Sequence, residues 1–173
     1  MAAKPRRPVL SLPERGEPGA AARPLVLDTN IVLDLLVFAD EAVAPVRTLL
    51  DERRLDWVAT PPMRDELARV LAYPQIAPRL AFYGHTATRL LQAYEARVRW
   101  VDVAPRIAAV CKDPDDQHFI DLAVAHRAIL LSKDKAVLCM QKRLLALDAH
   151  AAVAIVLEAP MPPCRPAGPA MAA

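Results

Sequence analysis

Cysteine is scarce in this chain. Cys111, Cys139 and Cys164 are the only three in 173 residues. Their odd number and the lack of a Cys-x-x-Cys pair exclude a disulfide framework and a thiolate zinc motif, and point to reduced thiols in a cytosolic compartment. Charge of one sign is not in excess either. Lys and Arg number 22 against 20 Asp and Glu, a net charge of +2, so bulk electrostatics does not mark a nucleic-acid binder and any polyanion site has to be local. Long hydrophobic runs are missing. The most apolar stretches, 31–39 and 151–157, fall well short of the roughly 20 residues of a membrane span, and Asp34 interrupts the first. The first twenty-odd residues carry Arg, Pro, Glu and Gly without a continuous apolar core, so no signal peptide is expected, and a cytoplasmic location away from any membrane follows by default. There is no internal repeat and no coiled-coil heptad.

What the chain does have is an apolar fraction of 54% with an ordinary 24% of charged residues, the composition of a soluble globular protein. Its length suits one domain with a proper core. Residues 1–23 are rich in Pro, Gly and charge and are expected to form a disordered extension, and the Pro- and Ala-rich residues 159–173 a disordered tail. The folded unit is then 24–158.

That unit is organised around Leu25 to Asp34, Leu-Val-Leu-Asp-Thr-Asn-Ile-Val-Leu-Asp. Leu25 to Leu27 read as a short strand buried on both faces, which delivers Asp28 to its end. Thr29 and Asn30 stand where caps of a following helix belong. Further strands are expected near 56–60, 100–103, 128–131 and 151–157. Helical patterns lie between them over 31–38, 42–54, 61–72, 76–82, 86–98, 119–124 and 135–147. Repeated crossing between strand and helix implies an α/β fold, a three-layer α/β/α sandwich with a mainly parallel central sheet. Periodicity does not give the strand order.

Acids recur at the strand ends. Asp28 closes the first strand and Asp134 follows the fourth. Asp116 opens the helix leading into that fourth strand, and Glu66 lies one turn into the helix after the second. In a parallel sheet such ends converge, so these carboxylates can meet in one crevice. Gathered acids repel each other and raise their pKa values unless a cation lies between them. A hard divalent ion, Mg²⁺ or Mn²⁺, suits such an oxygen donor set, and with no histidine or cysteine ligand set the pattern points to phosphoryl chemistry, a water aligned for attack on a phosphodiester. Ser132, Lys133 and Lys135 around Asp134 would offer a hydroxyl and positive charge to phosphate oxygens. Each residue also has a plainer role. Acids in a first helical turn are favourable through the dipole alone, Asp113, Asp115 and Asp116 can form a capped turn, and Arg79, Arg89, Arg97, Lys142 and Arg143 can be solvated helix faces rather than a groove. It is the conjunction of strand-end acids that favours chemistry.

Four blocks in order resemble the PIN-domain family of metal-dependent ribonucleases, which includes many toxin components of bacterial toxin-antitoxin pairs. They are Leu-Asp-Thr-Asn at 27–30, Glu-Leu-Ala-Arg-Val-Leu-Ala-Tyr-Pro at 66–74, Cys-Lys-Asp-Pro-Asp-Asp-Gln-His-Phe-Ile-Asp-Leu-Ala at 111–123, and Leu-Leu-Ser-Lys-Asp at 130–134. The resemblance implies a catalytic and metal-binding set of Asp28, Glu66, Asp116 and Asp134, supported by Thr29, Asn30 and Ser132. Asp113 is the next choice for the third acid, in a turn it shares with Asp115, and Gln117 stands where the family's acidic run often continues. Ser132-Lys133-Asp134 occupies the place of the more usual Thr-x-Asp. An RNA substrate, a homodimer and a small antitoxin partner are further implications. Two functions follow as expectations, a metal-dependent endoribonuclease and, alternatively, a non-catalytic PIN module that binds RNA or a protein. A phosphatase with an aspartyl nucleophile ranks lower, because Asp28-Thr29-Asn30 lacks the second acid of an Asp-x-Asp motif.

Overall fold

Leu25, Val26 and Leu27 are no more than 4% exposed. Successive strand residues point to opposite faces, so burial of all three means that both faces of the sheet are covered. In the computed structural model, which describes residues 7–161, they end the central strand. The strands are β1 (Val9–Pro13), β2 (Arg23–Leu27), β3 (Leu55–Ala59), β4 (Arg99–Trp100), β5 (Ile129–Leu131), β6 (His150–Ala152) and β7 (Ala154–Glu158). The helices are α1 (Thr29–Leu33), α2 (Ala44–Asp51), α3 (Pro61–Leu71), α4 (Ala77–Phe82), α5 (Ala87–Arg97), α6 (Gln117–Ala125), α7 (Lys135–Leu138) and α8 (Gln141–Leu145). A π-helical turn, Asp34–Phe38, continues α1.

The main sheet has five strands in the order β4-β3-β2-β5-β6, all parallel. Counting outward from β2, the chain first adds strands on one side and then returns to add β5 and β6 on the other. The order therefore reverses between β2 and β5. At such a reversal the loops leaving the two strands part in opposite directions and open a crevice beyond the carboxyl ends, where doubly wound sheets bind ligands. Asp28 follows β2 and Ser132 follows β5, and the Asp28 amide donates to the Leu131 carbonyl at 3.0 Å. The mainly parallel α/β sheet is the architecture expected from the sequence.

Several boundaries differ. Residues 9–13 do not belong to a disordered extension. Val9 to Pro13 pair in parallel with Ala154 to Glu158, and Leu10 and Leu12 pack against the core. Arg54 fastens the segment that follows, donating to the carbonyls of Pro13 at 2.6 Å and Glu14 at 2.9 Å. The single strand expected at 151–157 is two. Val153 breaks the ladder and its amide donates to Pro8, so β6 ends the main sheet and β7 pairs with β1. The expected third strand shrinks to Arg99–Trp100, and the helix expected over 135–147 divides at Cys139 and Met140 into α7 and α8. The expected tail reaches beyond residue 161 and there lies outside the described residues.

Candidate metal centre

Asp28 occupies the residue before α1, yet its side chain makes no capping hydrogen bond. It is 5% exposed, and its Oδ2 accepts a 2.6 Å hydrogen bond from the Ser132 hydroxyl. Burial raises its pKa above the ordinary aspartate value. The Ser132 hydrogen bond opposes that rise and the charge of Glu66 adds to it. Ser132 is wholly buried, and its hydroxyl oxygen also accepts from the Asp134 amide at 3.0 Å. One serine thus ties the acid after β2 to the acid after β5.

Asp113, Asp116 and Asp134 each bring a carboxylate oxygen within 4.8 Å of the others. Two of the three also serve the backbone: Asp113 accepts from the Asp115 amide at 3.0 Å and Asp134 from the Ala136 amide at 2.7 Å. Asp116 is different. Its Oδ2 is buried and has no hydrogen-bond partner among the described residues, a costly arrangement for a carboxylate. Burial, then the charges of Asp28, Asp134 and Asp113, push its pKa up to about 7, against a small opposing pull from His118. An orphaned buried oxygen and two further acids within reach, with no nitrogen or sulfur donor among the described residues inside that 4.8 Å group, fit a hard divalent cation. The same charges that penalise Asp116 without a cation would favour it with one.

Glu66 lies next to this cluster, on α3. It accepts from the Thr29 hydroxyl at 3.0 Å and pairs with His118 Nε2 at 3.0 Å. Burial alone would raise its pKa, but His118, Thr29 and the charge of Arg69 together bring it below the ordinary value. Burial and Glu66 raise the phenol of Tyr94 in turn.

The residues singled out in the sequence therefore converge on one crevice but form two groups. Asp116 and Asp134 meet, with Asp113 as their third member. Asp28 and Glu66 stand outside the 4.8 Å cluster; the charge of Asp28 acts on Asp116, and that of Glu66 acts on Asp28. Asn30 is exposed at the rim. Lys133 does not present a free charge to a phosphate, because its ammonium pairs with the buried carboxylate of Asp34. Lys135 is exposed at the start of α7 and forms no ion pair among the described residues.

His118 and Asp34 were not singled out from the sequence. The cue for His118 was its place in an acidic block, two residues after Asp116. That for Asp34 was a carboxylate inside an apolar run, which must find a partner to be buried. Gln117 and Asp121 are buried as well but serve the backbone. Gln117 donates to Asp121 at 2.8 Å and to the Ala109 carbonyl at 3.1 Å, and accepts from the Cys111 amide at 2.7 Å. Asp121 accepts from the Ile107 amide at 3.1 Å. The pair holds the segment that leads into Asp113.

Comparison with known proteins adds the following. A family model described as PIN domain matches residues 24–136. No curated protein matches. Among solved structures, the chain is similar to one of VapBC2 from Rickettsia felis bound to a DNA fragment from their promoter, with 12% identity and a TM-score of 0.49 over 79% of this chain and 98% of that one.

Proposed function

The chain belongs to the PIN-domain family, and from that premise we propose that it is an Mg²⁺- or Mn²⁺-dependent endoribonuclease that hydrolyses RNA phosphodiester bonds. The observation that carries the reading is Asp116, a carboxyl pushed up to about 7, with a buried oxygen that no group among the described residues satisfies and two more aspartates within 4.8 Å. Asp113, Asp116 and Asp134 would hold the cation. A divalent ion bound there supplies a Lewis acid for a phosphoryl oxygen and a water acidic enough to act as nucleophile near neutral pH. The chain's own part is positioning and charge. Ser132 fixes Asp28 and the backbone of Asp134 in one hydrogen-bonded unit. Thr29 and His118 fix both oxygens of Glu66. Buried carboxylates held in this way cannot turn aside to relieve their repulsion, so the crevice keeps its preference for a doubly charged ion.

The nuclease unit is read as residues 24–158, with β1 added to its edge. A toxin role opposed by an antitoxin, a homodimer and a cytoplasmic site of action belong to the same proposal and rest on family membership. Among the described residues, no helix is long and apolar enough to cross a membrane.

The test is cleavage of a mixed-sequence single-stranded RNA by the purified full chain with Mg²⁺, with Mn²⁺ and with EDTA. Cleavage is expected with either metal and none in EDTA, with a loss of about a hundredfold or more in Asp28→Asn and Asp116→Asn and circular dichroism unchanged. No cleavage under any condition, together with no Mn²⁺ binding by calorimetry, overturns the nuclease and leaves a binding module.

A further inference from the structure

Two clefts adjoin the acidic crevice and share no lining residue. One, of about 390 Å³, includes Asn30, Lys133, Phe38, Arg79 and Tyr83 in its wall. The other, of about 480 Å³, includes Glu66, His118, Arg69 and Tyr73. Each joins the crevice through residues next to, or belonging to, the site: Asn30 beside Thr29 and Lys133 beside Asp134 in the first, Glu66 and His118 in the second. Each also contains an arginine followed four residues later by a tyrosine, Arg69 with Tyr73 and Arg79 with Tyr83. Arg69 lies in the last turn of α3 with Tyr73 two residues past its end, and Arg79 lies in α4 with Tyr83 just past its end; both members of each pair line the same cleft.

The two pairs have the same physical character. Tyr73 is 45% exposed and Tyr83 46%, unusually open for rings that could have been buried in the core. Arg69 and Arg79 are exposed, and neither forms an ion pair among the described residues. Arg79 is held in place all the same, its guanidinium lying 4.1 Å from the centre of the Phe38 ring. Tyr83 packs edge-on against Phe38 at 5.6 Å and Phe82 at 5.3 Å, which braces its ring. With a net charge of only +2, the chain has little general attraction for a polyanion. An arginine outside any ion pair, beside an open aromatic ring, is a local device for holding a nucleotide, the guanidinium taking a phosphate and the ring stacking a base.

Resting on the nuclease reading of the crevice, we propose that the clefts of Arg69–Tyr73 and Arg79–Tyr83 are two nucleotide subsites that together hold a single-stranded RNA across the acids. A strand must have its bases unstacked and splayed to use both rings, so the same geometry selects against a duplex, whose bases are closed to aromatic side chains.

The test reads binding, not cleavage. Anisotropy of a 5′-labelled 12-nucleotide RNA is measured with the full chain in Ca²⁺, the same strand annealed to its complement is the duplex probe, and Mn²⁺ affinity is measured in parallel by calorimetry. Tyr73→Ala and Tyr83→Ala are each expected to weaken single-strand binding about 5- to 100-fold, while Tyr73→Phe and Tyr83→Phe stay within about twofold, since the ring and not the hydroxyl stacks. Arg69→Ala and Arg79→Ala should each lower the slope of log affinity against log salt by roughly 0.7. Mn²⁺ affinity should be unchanged in all six. The duplex should bind at least about tenfold more weakly than the single strand. Single-strand binding that is absent in the wild type, unchanged in both alanine variants, or no tighter than duplex binding overturns the subsites. Metal-dependent cleavage in the same preparation would show that the nuclease reading survives that failure.

Discussion

Ser132 has one hydroxyl and two acids to serve. It donates to Asp28 at 2.6 Å and accepts from the backbone of Asp134 at 3.0 Å, with none of its surface exposed. Ser132→Ala removes the donor and leaves a buried carboxylate short of a partner, which is expected to cost about 1–3 kcal/mol in urea denaturation at pH 8. RNA cleavage should fall at least about tenfold, because Asp28 is then free to rotate; unchanged cleavage would remove Ser132 from the site. At this scale the sequence is legible where chemistry follows from position along the chain. An acid after an apolar strand is visible as such, and so is a hydroxyl two residues before another acid. What position cannot show is how a side chain is spent. Lys133 reads as a cation for phosphate, yet it is bound to Asp34. His118 reads as one residue of a helix, yet it grips Glu66 from a different helix. Those pairings depend on how α3, α6 and α1 lie against each other, which no local pattern contains.

Elements were legible in proportion to their length and apolar period. The central strands and the long helices stand out because their burial repeats. β1 does not. It is five residues in a Pro- and Gly-containing extension, and its hydrophobic alternation gains a partner only when β7 arrives some 140 residues later. The opposite error occurs at 151–157, where one apolar run serves two sheets because Val153 turns its amide to Pro8. Between β4 and α6 the chain has almost no regular structure, and Gln117 and Asp121 stand in for it. Gln117→Ala would leave the Cys111 amide, the Ala109 carbonyl and Asp121 each short of a hydrogen bond at once, so a loss of about 2–3 kcal/mol is expected. Because that segment carries Asp113, Mn²⁺ affinity measured by calorimetry should fall as well. A destabilised protein with undiminished Mn²⁺ affinity would take Asp113 out of the metal set.

Strand order is a property of the whole molecule, and it explains why acids far apart in the chain collect where they do. Only the reversal between β2 and β5 brings the ends at Asp28 and Ser132 together. The charge they collect has a global consequence. Asp116 has its pKa pushed from the ordinary aspartate value of 3.8 up to about 7, so between those limits the folded chain holds a proton that the unfolded chain has lost. Stability of the metal-free protein must then fall as pH rises through that window. Because Asp116 is partly open to solvent, the contribution of the full shift is discounted to about 1–2 kcal/mol, or roughly 3–6 °C in Tm. In EDTA, thermal melts are expected to drop by roughly two-thirds of that amount from pH 5 to pH 8, because the window opens below pH 5. Saturating Mn²⁺ should restore the loss at pH 8 and do less at pH 5, where protons compete for the same oxygens. Asp116→Asn removes the charge while keeping the shape. In EDTA at pH 8 it should melt above the wild type, and it should respond little to Mn²⁺. If it melts below the wild type and still gains several degrees from the metal, Asp116 is a structural acid and the cation, where one binds, is held by others.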